Sequence, residues 1–300
     1  MFLNGLITND MKTLAVNSWM PAAFANVQGR LLAAVRIAHR EDGFLIDTES
    51  ATRETIITLL DRFTLAGDFR LQDLTDETAM FSVQGRSASE IISRVFGAEA
   101  ASVERQKIMN AQFGDATVNV IRATHTAEDG FDLFIEANNS SKLTEALTAA
   151  GAAPISNATF ETLRIEAGLP LYGIDMDENN VVTETNLDDA VSFTKGCYLG
   201  QEIIIRIKHR GHVAKKLAGV VLDDSAPVPR NSKIISAEGK EIGRVTSSTF
   251  SPRLDRAIAL GYLKYDYLAA GTEVKVAAPE SETKATVADV PMVRGSWYKD

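Results

Sequence analysis

Two hydrophobic textures run along the chain and change over near Leu217. Before it, amphipathic helical runs alternate with short apolar strands; after it, short strands follow one another between turns. Within the first part the pattern repeats. Glu41-Asp42-Gly43-Phe44 recurs as Glu128-Asp129-Gly130-Phe131, 87 positions later. The first copy continues through Leu45-Ile46-Asp47 into Ser50-Ala51-Thr52-Arg53-Glu54 and an amphipathic run ending at Phe63. The second continues through Leu133-Phe134-Ile135 into Ser140-Ser141-Lys142-Leu143 and a run ending at Gly151. Each copy reads as the second strand of a hairpin followed by a capped helix.

Apolar residues also dominate the alternating stretches Arg30 to Ala38 and Thr117 to Thr124. Phe81 to Gly85 reads as strand and turn leading into a helix over Ser87 to Phe96. The first copy offers only a helical part, Met1 to Ile7, and its strand is missing. Either a neighbouring strand is left unpaired there, or the start of the chain is not the natural one. The repeat is thus a strand–helix–hairpin–helix unit of an α+β, ferredoxin-like kind, duplicated and clipped at its first copy. Ser156 or Asn157 caps a short helix that Gly168 closes and Pro170 keeps from continuing. A polar, acidic loop from Asp175 to Asp189 follows. Six short strands (218–222, 233–236, 241–247, 257–263, 273–276 and 283–287) then predict a small C-terminal β-barrel. The expected lobes are 1–70 with 155–212, discontinuous; 71–154, related by the repeat; and 213–300, the barrel.

Composition narrows the function classes. With 45% hydrophobic and 24% charged residues in 300, the chain buries enough surface to need no disulfide or metal staple. A net charge of −9 argues against duplex nucleic acid and anionic membranes as partners. The single cysteine excludes a disulfide framework or an all-cysteine cluster site within one chain, and suits a reducing cytosol. No run approaches the roughly 18 apolar residues of a membrane helix, and Met1-Phe2-Leu3-Asn4 lacks a signal peptide's apolar core. A cytoplasmic protein is expected.

Three features carry candidate chemistry. In Lys195-Gly196-Cys197-Tyr198-Leu199-Gly200-Gln201-Glu202, glycines flank a thiol that nearby cations favour as thiolate, although a small buried hydrophobe fits the same residues. Glu166 sits in the last turn of its helix, where the macrodipole disfavours negative charge. It needs a compensating partner: the paired N–H donors of a pterin, a salt bridge to Arg164, or solvent. Arg206, Lys208, Arg210, Lys215 and Lys216 put five cations in eleven residues, suited to an anionic tail or to a solvated strand face. His39, His125, His209 and His212 show no metal-ligand spacing, so no metal site is expected. Phosphate-binding glycine loops and serine-nucleophile elbows are lacking.

The cysteine run resembles the signature of the YgfZ folate-binding proteins, relatives of the glycine-cleavage T-protein, and the resemblance extends along nearly the whole chain. Phe2 to Asp10 resembles the family's N-terminal helix and turn, and Gln28-Gly29-Arg30 the hairpin before its central strand. Arg164 to Gly168 with Leu171-Tyr172-Gly173 is similar to the T-protein folate segment. Ile242 to Ser247 with Phe250-Ser251-Pro252 is similar to its barrel. The resemblance implies a three-lobed ring around tetrahydrofolate. Glu166 would hold the pterin, with Tyr172, Arg206, Asn9, Asp10, Tyr198, Gln201 and Glu202 as further folate contacts. Cys197 and Lys195 would serve iron–sulfur enzymes or their assembly proteins, in a role other than that of an ordinary enzyme. The alternative is an aminomethyltransferase of the T-protein type, acting with a lipoyl partner protein. Its general acid–base aspartate is expected after the glycine hairpin, where this chain reads Leu31-Leu32-Ala33-Ala34-Val35, with Ala34 at that place. Leu169 to Asp175 is T-protein-like and favours that alternative. A third reading is a non-catalytic folate-binding scaffold.

Overall fold

In a computed structural model, which describes residues 2–64, 69–279 and 281–298, the repeat becomes two antiparallel sheets. The first contains β1 (Ser18–Ala25), β2 (Leu31–Arg40) and β3 (Gly43–Thr48), and is followed by α1 (Arg53–Thr64). The second unit runs β4 (Thr78–Gln84), α2 (Ala88–Phe96), α3 (Ala98–Ala101), β5 (Ile108–Phe113), β6 (Ala116–Arg122), β7 (Gly130–Glu136) and α4 (Ser140–Ala149). Its sheet order is β4-β7-β6-β5, against β1-β2-β3 in the first. β5, β6 and β7 thus answer to β1, β2 and β3. Among the described residues no strand takes beside β3 the place that β4 takes beside β7. The helix expected over Met1 to Ile7 is only a 3-10 turn, Leu3–Gly5.

Strand alternation sets which face goes where. Along β2, Ala33, Val35 and Ile37 are buried against Ile56 and Leu60 of α1. The alternate positions look the other way, toward the second lobe. Ala38 joins Ile108, Ile121 and Phe134 there, and Arg36 reaches Asp132 of β7. The same guanidinium holds Asp47 of β3 at 2.7 Å through Nε. Asp132 is inaccessible to solvent and also meets the His125 ring at 2.8 Å. Burial alone would raise its pKa, but Arg36 and His125 outweigh that and hold it at about 2. Backbone bonds from Trp19 N–H to Gln106 and from Ile108 N–H to Asn17, both 2.9 Å, stitch β1 to the β5 side.

After α5 (Asn157–Glu166) and α6 (Gln201–Arg210), the strands β8 (Lys215–Leu222), β9 (Lys233–Ser236), β10 (Glu241–Ser251), β11 (Arg256–Lys264), β12 (Glu273–Ala278) and β13 (Ser281–Ala288) close a barrel in the order β10-β11-β8-β13-β12-β9. The architecture is mixed α/β with the expected six-stranded barrel. Residues 290–298 leave the barrel and return across the other lobes. Val293 N–H bonds the carbonyl of Glu166 at 3.0 Å, Trp297 N–H bonds Ala127 at 3.1 Å, and Arg105 stacks over the Trp297 ring. Each lobe therefore touches the other two, and the ring is closed.

Lys195 fastens the start of the ring. Its side chain is buried, and Nζ donates to the carbonyls of Asn4 (2.6 Å), Ile7 (2.8 Å) and Asn9 (2.6 Å). An ammonium has three donors, and all three are used. Burial draws its pKa down to about 8, and Asp10 acts the other way.

Two outcomes follow. Replacing Lys195 with Met leaves three carbonyls without their donor, and denaturant titration should show a loss of about 3 kcal/mol at neutral pH. The Asp132→Asn variant should lose about 3 kcal/mol at pH 7, because Arg36 keeps its burial and loses a charge partner. Because the folded pKa of Asp132 lies below its unfolded value of 3.8, this contribution is complete above that pH and lost as pH falls through about 2. The gap between wild type and Asp132→Asn should narrow over that window in urea titrations; a gap constant with pH would contradict the assignment.

Candidate functional site

α5 is the element that positions the site. Ser156 caps it by accepting from Thr159 N–H at 3.1 Å. It ends in a Schellman arrangement, with Leu169 N–H on Arg164 O and Gly168 N–H on Ile165 O. Gly168 has φ +73°, and a Cβ there would lie 2.4 Å from Cβ of Val290, so both the turn and the returning tail require glycine. The helix end delivers Arg164 and Glu166, both buried, to different hydroxyls of β10, Ser247 and Ser251.

Arg164 is fully engaged. Its five N–H donors reach Glu161 (2.8 and 2.6 Å), Asp175 (2.7 Å), Ser247 (2.9 Å) and the carbonyl of Leu169 (3.2 Å). Asp175, also buried, accepts from Ser247 and Thr246 of β10 and from Leu171 N–H. This network fixes the loop 169–175 on the barrel. It also excludes one option for Glu166: Arg164 has no donor left for it. Glu166 instead accepts from the Ser251 hydroxyl through Oε1, while among the described residues Oε2 has no hydrogen-bond partner.

Tyr172 lies next along the loop. Its N–H donates to Glu49 Oε2 at 2.9 Å, and its side chain packs with Ala34 on the cluster that contains Tyr198, Leu31 and Ile204. Burial raises the Tyr172 pKa, with Glu178, Asp177 and Glu49 adding to it. Tyr198 is buried with its hydroxyl unpartnered among the described residues, and burial pushes its pKa up to about 12. Asn9 bridges Pro21 (2.7 Å) and Asp189 (3.0 Å) through its amide, and Asp10 caps the next turn by accepting from Lys12 N–H.

The cysteine run divides between two settings. Cys197 is exposed, so it is not a buried hydrophobe. Lys195 points into the three carbonyls of the N-terminal segment. Gly200 begins α6 in the left-handed region with φ +81°, and a Cβ there would meet the Asn26 carbonyl at 2.6 Å. Beyond it, Arg206, Lys208 and Arg210 lie on a helix, whereas Lys215 and Lys216 begin strand β8. Ile203-Ile204-Ile205 favours a strand locally, but Ile204 is fully buried against the hairpin that precedes β2, and this packing overrides the propensity. Gln201 holds the Lys195 carbonyl at 3.2 Å. The exposed Glu202 and Arg206 pair one turn apart, at 2.5 Å, and with Phe193, Gln201 and His209 they line a surface cavity of about 560 Å³. A second cavity of about 590 Å³ opens between the two sheets, lined by Arg40, Asp42, Glu77, Asn119 and Glu136 among others. Glu166 and Tyr172 line neither. Glu49 and Asp175 escaped the sequence reading. Glu49 opens a helical turn, where an acidic residue is unremarked, and Asp175 belongs to an acidic loop.

Comparison with known proteins gives the family. Residues 1–195 match the GCVT N-terminal domain, and residues 215–293 match the glycine cleavage T-protein C-terminal barrel domain. The aminomethyltransferase of Geobacillus kaustophilus is 31% identical over 300 residues, covering 98% of this chain and 82% of that protein. That of Alcanivorax borkumensis is 30% identical, covering 98% and 80%. The crystal structure of the glycine cleavage system aminomethyltransferase T from Bartonella henselae shares the fold, with TM-score 0.84, 21% identity, and coverage of 99% and 82%. These relatives correct the expectation of an iron–sulfur role. They are named for aminomethyl transfer, and Lys195 is occupied structurally instead of standing over the thiol. Iron–sulfur enzymes and assembly proteins are withdrawn as partners with it. With both its N-terminal region and its barrel matched, the chain belongs to the glycine-cleavage T-protein family.

Proposed function

We propose that the chain is a tetrahydrofolate-dependent aminomethyltransferase. The observation that carries this reading is the likeness to aminomethyltransferases along nearly the whole chain, including the Arg164 to Asp175 segment. Tetrahydrofolate supplies amine nitrogens that accept the one-carbon unit. The residues present fit such a ligand. Glu166 is a buried carboxylate with one oxygen fixed by Ser251 and the other free to accept, which suits the adjacent N–H donors of a pterin. Arg164 and Asp175 keep the helix end and the 169–175 loop in register, so that Glu166 and Tyr172 are held by rigid neighbours. On α6, Arg206 and Lys208 provide positive charge for an anionic tail.

Ala34 favours a second reading, a chain that binds folate without transferring a group. The two readings separate in one assay. Given the aminomethylated lipoyl partner protein and tetrahydrofolate, the wild type should release ammonia at a rate proportional to enzyme concentration. Retained folate binding without turnover would select the binding-only reading. By calorimetry with tetrahydrofolate, Glu166→Gln should weaken binding at least about tenfold, since the amide keeps the Ser251 bond and gives up the anion. Unchanged affinity would remove Glu166 from the pterin site.

A further inference from the structure

An aminomethyl transfer needs a group that takes a proton from the attacking amine, and β2 offers alanine where the family's aspartate is expected. Resting on the transferase reading, we propose that Glu49 is the proton-transfer carboxylate of this chain, standing across the β2–β3 ladder from Ala34.

The register makes the case. Arg36 pairs with Asp47 and Val35 with Thr48, so the next step of the antiparallel ladder sets Ala34 opposite Glu49. Glu49 has extended backbone, φ −64° and ψ 144°, and continues the strand by that one residue. The backbones remain close, since the Thr48 hydroxyl donates to the Ala34 carbonyl at 3.2 Å. Facing residues of an antiparallel pair project from the same side of the sheet with Cβ atoms about 5 Å apart. That side carries Arg36 and Asp47 and looks toward the second lobe. A carboxylate lost from β2 is therefore present on its neighbour, on the same face and within a side chain's length.

Its surroundings suit the task. Oε2 accepts Tyr172 N–H at 2.9 Å, which places the carboxylate beside the loop that follows Glu166. Among the described residues Oε1 has no hydrogen-bond partner, so one oxygen is fixed and one is free. Glu49 is half-buried, and burial raises its pKa. Tyr172 N–H and Arg164 of α5 act against this rise, while Asp175 of the loop and Asp47 of β3 add to it. A carboxylate raised toward neutrality is a better base at working pH than a solvated one. The step balances without a redox partner. The amine nitrogen forms a C–N bond to the transferred carbon and sheds its proton to Glu49. The bond from that carbon to the sulfur of its carrier breaks with its electron pair, and the proton passes to that leaving thiolate. A second folate amine then bonds the same carbon as the bond to the amino nitrogen breaks with its electron pair, and the proton this amine sheds leaves on that nitrogen as ammonia.

The conservative variant Glu49→Gln tests this, because its amide oxygen still accepts the Tyr172 N–H but cannot take a proton. In the ammonia-release assay kcat should fall about 100-fold or more, with KM for tetrahydrofolate changed far less. The acid limb of the wild-type rate profile should lie above the ordinary glutamate pKa and vanish in the variant. Should Glu49→Gln fail to fold, Glu49→Asp serves. It keeps a carboxylate on a shorter arm and should retain turnover and the acid limb. An active wild type whose folded Glu49→Gln stays within about twofold of its rate overturns this inference alone. A wild type without turnover overturns the transferase reading as well.

Discussion

The buried ion pair between Arg164 and Asp175 is the constraint on which the site depends. A guanidinium taken out of water is costly unless every donor finds an acceptor, and here all five do. The acceptors belong to a helix, a loop and a barrel strand. Satisfying one cation therefore fixes three elements relative to one another. Glu166 and the Tyr172 backbone are neighbours of this node, and they inherit its rigidity. Removing Arg164 would leave Asp175 charged and buried without a cation, whereas removing Asp175 would leave Arg164 only Glu161 as a charge partner.

Much of the fold was legible because its signals are local. Turn residues separate the six barrel strands, and the repeated Glu-Asp-Gly-Phe marks equivalent hairpins in the two sheets. Gly168 and Pro170 end α5 where the chemistry of those residues says a helix must end. α6 was hidden because three consecutive isoleucines argue for a strand, and only contact with the hairpin around Gly29 decides the matter. The site divides in the same way. Glu166 stood out as a carboxylate at the wrong end of a helix dipole, a feature visible within one turn. Glu49 did not, because the N–H it binds lies 123 residues away, and Asp175 did not, because its barrel partner Ser247 lies 72 residues away and its pairing with Arg164 crosses a helix end. Lys195 drew notice for the thiol beside it in sequence, whereas its ammonium serves carbonyls more than 180 residues upstream.

The two sheets illustrate how duplication is put to use. They face each other across Arg36 and Asp132, a charge pair with one member from each copy. In the first copy the face around that pair continues past Ala34 toward the 169–175 loop. In the second, Asp132, Ile121 and Phe134 meet that face, while the opposite side packs on α2 and α4 as the first sheet packs on α1.

The returning segment 290–298 sets an order of events during synthesis. It meets Glu166, Gly168, Ala127 and Glu128, residues made long before it. A ribosome would release both sheets and most of the barrel while the ring was still open. The enclosure around Glu166 is completed only by the residues that come after the barrel, so a nascent chain halted before them would carry Glu166 without its frame.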